Sequence, residues 1–134
     1  MGPAAPANAL GGLRSRTFAI LGLTYTPHTD TLRPAAVELC QQLLAAGATV
    51  RAFDPAVPAL PADLAGVHLG ELPAVLDGSD AVVVCTEWPQ FRQAPWGEWL
   101  PRLRQPVVVD ANRFLEKELL ACRGVEHLSV GRPS

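Results

Sequence analysis

Apolar residues in this chain fall in short unbroken runs, separated by stretches with a helical repeat. Thr17 to Leu23 (TFAILGL) is such a run, and it reads as a first strand ending at Gly22. Ala36, Val37, Cys40, Leu43 and Leu44 then recur with a 3.6-residue period. They predict a helix from Pro34 to Ala46, with Pro34 in the first turn, where its missing N–H costs nothing, and Gly47 as the stop. Ala48 to Phe53 reads as a second strand closed by Asp54-Pro55. Residues 55–66 hold three prolines and predict a loop or frayed turn. A short strand at Val67 to Leu69 and a short helix from Glu71 to Leu76 follow. Asp80 to Cys85 (DAVVVC) is almost wholly apolar, as expected of a strand covered on both faces. Trp96 to Leu103 predicts a helix, Gln105 to Asp110 a strand, Leu115 to Ala121 a helix and His127 to Val130 a last short strand.

Strands alternating with helices, the strands continuously apolar, predict an α/β fold. The expected architecture is a doubly wound, mostly parallel, Rossmann-like sheet in a single domain over residues 17–134. Residues 1–16 are rich in Gly, Ala and Pro and read as a flexible tail or linker. A length of 134 residues suits one such domain. In this architecture ligands sit outside the carboxyl ends of the strands. The segments to search are therefore 24–33, Asp54, 86–91 and 110–113.

Composition narrows the chemistry. At 49% hydrophobic the chain carries enough apolar surface for a core. Eleven basic against 13 acidic residues leave a net charge of −2, so no electrostatic footprint for nucleic acid or an anionic membrane is present. No apolar run approaches the roughly 20 residues of a bilayer span, and no secretory signal is read, so a cytoplasmic location is expected. The three cysteines are far apart, without a CxxC or Cys/His cluster, and predict neither a disulfide framework nor a metal site. Cys40 and Cys85 sit in apolar runs and read as buried thiols; Cys122 has no neighbouring base to activate it.

The loop after the first strand is the richest in candidate chemistry. Thr24, Thr26, Thr29 and Thr31 supply hydroxyls, a helix start supplies N–H groups, and Arg33 supplies a fork suited to phosphate. Turns and caps account for the same threonines equally well. GxGxxG is absent, since only Gly22 occupies the turn, so dinucleotide binding in the usual Rossmann manner is not expected. Asp54 stands where an acid accepts from a ribose hydroxyl, and Asp-Pro is also a common turn starter. His28 has no readable partner acid, and His68 and His127 carry no functional expectation. Trp88, Trp96 and Trp99 are either base-stacking rings or cover for a core edge.

The run AILGLTYTPHTDTLR, a helix, and then GATVRAFDP resemble the C-terminal nucleotide-sugar-binding domain of the UDP-glucose/GDP-mannose 6-dehydrogenases. DGSDAVVVCTEWPQFR and PVVVDANRFL are similar to two further stretches of that family, in the right order, so the resemblance spans about residues 17–131. It implies a parent activity: oxidation of the C6 hydroxyl of a nucleotide sugar to a carboxylate in two NAD-dependent steps. The family's NAD-binding domain, its dimerisation helices and its nucleophilic cysteine lie outside the matched region, so this chain alone is expected to be catalytically silent. The implied ligand is a UDP-sugar or related nucleotide sugar. Tyr25 stands at the family's substrate-side aromatic position, and Thr26 where the family has a lysine that reaches the nucleotide sugar. The family arginine of the D-x-R turn falls on Asn112, with Arg113 one place later. Arg33 matches an arginine that reaches the cofactor across the domain cleft, while Asp54, Thr86 and Glu87 match pocket-shaping positions. The alternative reading is a non-catalytic, degenerate nucleotide-binding or scaffold module, since Thr26 lacks the ammonium.

Overall fold

The computed structural model describes residues 15–24, 31–110, 114–120, 122 and 124–128. Six strands, β1 (Thr17–Leu21), β2 (Thr49–Phe53), β3 (His68–Leu69), β4 (Ala81–Val84), β5 (Val107–Asp110) and β6 (Glu126–Leu128), form one sheet in the order β3-β2-β1-β4-β5-β6. Every pairing is parallel. The helices are α1 (Pro34–Ala45), α2 (Trp96–Trp99) and α3 (Glu116–Leu120). Strand order reverses between β1 and β4, which makes their carboxyl ends the topological switch point.

Continuous apolar strands are needed because both faces of the sheet are covered. Phe18 and Ile20 of β1, Ala81 and Val83 of β4, and Val107 and Val109 of β5 pack on the side of α1. Ala19, Leu21, Val82, Val84 and Val108 point the other way, toward Trp96, Leu100, Leu115 and Leu119. The alternation is the two-residue period of a pleated strand, and in-register pairing sets Ile20 beside both Ala52 and Val83. α1 buries Ala36, Cys40 and Leu43, one stripe of the predicted face, and Gly47 at φ +89° ends it.

The predicted α/β architecture and every predicted strand are present, with bounds differing by a residue or a few. The expected helix from Glu71 to Leu76 is a single 3-10 turn, Ala74–Leu76. The expected helix from Trp96 to Leu103 is α2 followed by a 3-10 turn, Leu100–Arg102, because Pro101 cannot donate the amide that α-helical continuation requires. Within the presumed tail, Ser15 donates its N–H to Gly47 O at 3.1 Å and Arg16 O accepts from Thr49 at 2.8 Å. The amino ends of the strands are tied by Asp80, which is fully buried. Its carboxylate accepts the Thr17 N–H at 2.9 Å and the Gln105 Nε2–H at 3.3 Å, with Arg16 at 3.6 Å and Arg104 at 3.9 Å.

At the opposite edge, Gly22 turns the chain out of β1 at φ +89°. A Cβ on Gly22 would lie 2.5 Å from Thr86 Cβ and 2.7 Å from the Thr86 backbone nitrogen, neither of which has room to retreat. Substitution therefore combines a left-handed backbone penalty with a steric clash between the β1 and β4 ends. Gly22→Ala is expected to destabilise the domain by about 2–4 kcal/mol, read as a lower urea midpoint at unchanged m-value. A wild-type midpoint would show that the two strand ends are not in close contact.

Candidate functional site at the carboxyl edge of the sheet

The strands deliver three connections to one place: the turn after β1, the turn after β2 and the segment after β4. Their backbone amides leave the sheet ladder here and need partners, because unpaired buried N–H groups are costly. Asp54, only 5% exposed, supplies them. Its Oδ2 accepts the backbone N–H groups of Leu23 at 2.7 Å and Thr24 at 3.2 Å, the Thr24 hydroxyl at 3.0 Å and the Trp88 indole N–H at 3.3 Å. Its Oδ1 accepts the Ala56 N–H at 2.8 Å, the turn-starting bond that Asp-Pro predicts. Both oxygens are thus engaged within the protein, and Asp54 ties the edge together.

Thr86, 1% exposed, closes the same junction by donating its hydroxyl to Thr24 O. Gly22 N–H donates to Phe53 O at 2.8 Å and Cys85 N–H to Leu21 O at 2.9 Å. The loop that follows is pinched at its base, where Thr24 and Leu32 form an antiparallel bridge and Arg33 N–H donates to Leu23 O at 2.8 Å. Tyr25, Thr26, His28 and Thr29 belong to this loop and lie outside the described residues, as do Asn112 and Arg113.

Arg33 occupies the N-cap position of α1, half-buried, and accepts the Ala36 and Val37 N–H groups at 3.0 and 3.1 Å. Pro34 lacks an N–H, so the first turn of α1 has few free amides. The Arg33 side chain lies close to the end of β4. Burial pushes the Cys85 thiol up to about 12, with Cys40 adding to the shift and the Arg33 charge opposing it. Burial raises Cys40 to about 11. Neither thiol supplies a thiolate at neutral pH. Glu87 is half-buried on the same edge.

The tryptophans cover the core. Trp96 is 2% exposed and donates its indole N–H to Phe91 O at 2.7 Å, and Trp99 packs edge-on against it with ring centroids 5.4 Å apart. Trp88 is also buried and donates its indole N–H to Asp54.

Three residues on this edge make contacts that sequence reasoning did not assign, although Asp110 lay in a segment marked for search. Asp110, 1% exposed at the end of β5, accepts the Leu115 N–H at 2.7 Å and lies 3.2 Å from His127 Nε2. Arg92 donates its Nε–H to Phe114 O at 2.9 Å and stacks its guanidinium 4.1 Å from the Phe114 ring centroid. The contacts of His127 and Arg92 have no local signature, but an acid closing the apolar run VVVD was a usable signal for Asp110.

An apolar hollow of about 370 Å³, walled by Leu32 and residues 56–61, adjoins this edge beyond Asp54. A larger one, about 470 Å³, is lined by Leu103, Pro106 and Gly124, which lead into β5 and β6, and so lies at the far, amino end of the sheet. Among the described residues no group of three His, Cys, Asp or Glu side chains is arranged to hold a metal ion, and no helix is long and apolar enough to cross a membrane.

Among the described residues, the crevice lacks the pyrophosphate-facing amides of a Rossmann dinucleotide site. In a Rossmann site the amides after the first strand face the pyrophosphate, whereas here those of Leu23 and Thr24 donate to Asp54.

The fold and edge geometry define a Rossmann-like domain with its candidate site at the switch point. Residues 19–117 match the UDP-glucose/GDP-mannose dehydrogenase family, UDP binding domain. The chain is 33% identical to the UDP-glucose 6-dehydrogenase YwqF of Bacillus subtilis, over 93% of this chain and 29% of that protein. It is 36% identical to the UDP-glucose 6-dehydrogenase of Pseudomonas aeruginosa, over 92% and 29%. Among solved structures it superposes on a UDP-glucose dehydrogenase from Pyrobaculum islandicum with TM-score 0.71 and 29% identity, covering 97% of this chain and 28% of that one. The chain belongs to this family, as its C-terminal, UDP binding domain. It spans less than a third of the length of the curated relatives it matches.

Asp54 makes the site testable through stability. Asp54→Ala strips the acceptor from five donors and is expected to cost about 3 kcal/mol by urea unfolding. Asp54→Asn keeps one acceptor oxygen and is expected to cost less. Equal, wild-type stability in both variants would show that solvent satisfies these donors.

Proposed function

We propose that this domain holds the nucleoside diphosphate of a UDP-sugar at the carboxyl edge of its sheet, within an NAD-dependent nucleotide-sugar 6-dehydrogenase. The observation that carries the reading is the junction at Asp54. It fixes the base of the 24–32 loop against the segment after β4, and places Arg33 at the rim of that loop. On this reading Tyr25, Thr26, Asn112 and Arg113 contact the nucleotide sugar from the two loops flanking the junction. Asp54, Thr86 and Glu87 shape the pocket. Arg33 reaches toward a cofactor held by an NAD-binding domain beyond this chain, and dimerisation helices complete the enzyme. The domain contributes orientation rather than bond making: it would hold the sugar toward a cysteine on another domain, converting a bimolecular encounter into a positioned one. The work is cytoplasmic, with neither nucleic acid nor a membrane as partner.

A second reading, a degenerate module kept for binding or assembly, is favoured by Thr26, which replaces a charged donor with a hydroxyl. Calorimetric titration with UDP, UDP-glucose, GDP-mannose and NAD separates the two. The proposal expects the UDP compounds to bind, more weakly at high salt, and Arg33→Ala to weaken them. Thr26→Lys is expected to tighten UDP binding about tenfold, the value of one charge-assisted contact. No binding by the wild type and none by Thr26→Lys would favour the degenerate module.

A further inference from the structure

We propose that the amino edge of the sheet is a docking surface for an acidic polypeptide segment with an apolar anchor at one end. This surface lies a strand's length from the candidate nucleotide site and does not depend on what that site binds.

Four arginines converge on the turn 77–80, which leads into β4. Arg51, on β2, donates to Asp77 O, and Arg102 donates to Asp77 Oδ1 at 2.8 Å. Arg16, just ahead of β1, and Arg104 flank the buried Asp80 carboxylate at 3.6 and 3.9 Å. Two backbone bonds hold the segment 102–104 against the turn: Gly78 N–H to Arg102 O at 2.9 Å and Arg104 N–H to Ser79 O at 2.7 Å. Four guanidinium groups thus face two carboxylates, a local surplus of positive charge on a chain whose net charge is −2. Holding Asp80 does not require them all. Its oxygens already accept the Thr17 N–H and the Gln105 Nε2–H, and both arginines stand beyond hydrogen-bond distance. Arg51, half-buried, meets a carbonyl rather than a carboxylate. The Arg102 and Arg104 side chains are 45% and 60% exposed, and a Cβ on Gly78 would touch nothing within 4 Å, so the surface over the turn is open.

The same segment carries the apolar part. Leu100 and Leu103 are buried and, with Pro101, Pro106 and Gly124, line the hollow of about 470 Å³. Arg102 and Arg104 flank Leu103 in the chain, so one segment divides the hollow from the basic patch. Strand order fixes the layout: the patch runs along β2, β1 and β4, and the hollow opens at the starts of β5 and β6. At about 4.8 Å per strand the whole surface is about 20 Å long, the reach of about six extended residues. Glu126, exposed at the start of β6, stands on the hollow's far side. The acidic residues of the partner therefore fall on the arginine side and its anchor on the other. A small anion would leave the hollow unused, and an uncharged apolar ligand would leave the patch unused; a segment with both matches both.

The test titrates the full chain with acetyl-Leu-Leu-Gly-Glu-Glu-Glu-amide and with the reversed sequence, reading amide shifts. Saturable shifts are expected from one or both peptides at Gly78 and Arg104 together with Gly97 and Gly124, while the Trp88 indole N–H at the opposite edge stays still. Arg51→Gln and Arg104→Gln are each expected to weaken binding about tenfold while the protein stays folded by urea unfolding, and serines in place of the leucines to do the same. Added salt is expected to weaken it further. No saturable shift with either peptide would overturn the proposal, as would equal binding of a peptide with lysines in place of the glutamates. Inorganic tripolyphosphate moving Gly78 and Arg104 as strongly as the peptides, with Gly97 and Gly124 still in every titration, would assign the patch to small anions and overturn it too.

Discussion

One buried carboxylate holds the candidate site together. Three chain segments leave the sheet at this edge, and Asp54 accepts from all three: backbone amides of the turns after β1 and β2, and the Trp88 indole N–H of the segment after β4. Without it the edge would carry several sheltered donors without acceptors, a cost of about 3 kcal/mol. With it, the turn after β1, the Trp88 indole and the start of the 55–61 loop share one point of attachment. The same bonds explain why the domain departs from the dinucleotide pattern its topology suggests. Among the described residues, the Leu23 and Thr24 amides that would face a pyrophosphate are turned inward to Asp54.

Asp54 is one of three buried aspartates that close strand ends. Asp80 joins the amino ends through Thr17, Arg16, Arg104 and Gln105. Asp110 folds the chain after β5 back on itself and meets His127. The valine-rich strands supply burial but little that distinguishes one connection from another, since Val, Ile and Leu pack on a sheet with few directional demands. The aspartates supply direction, because each carboxylate oxygen must be met by donors at defined angles.

Much of the fold was legible because continuous apolar strands and a 3.6-residue stripe in α1 are local patterns, and Gly22 and Gly47 mark their ends. The short helices were legible in position but not in length or type at 71–76 and 96–103, where Pro73 and Pro101 interrupt the α-helical hydrogen bonding. The site was legible only as a set of positions. Asp54 lies 31 residues from Leu23 and 34 from Trp88, and no local pattern announces partners at such separations. Its turn-starting bond to Ala56, by contrast, was readable from Asp-Pro alone. His127 looked inert for the same reason: its partner is on the adjacent strand, and only the register of β5 with β6 brings them together.

The most direct test of the account is amide and indole chemical-shift mapping of the chain during titration with UDP. The account predicts that the largest shifts fall on the carboxyl edge, at residues 23–33, 54–56, 86–88 and 110–115, with the Trp88 indole N–H among them. Gly97 and Gly124, beside the larger hollow at the amino end, are predicted to stay still. Shifts centred on Gly97 and Gly124, with the Trp88 indole unmoved, would contradict it.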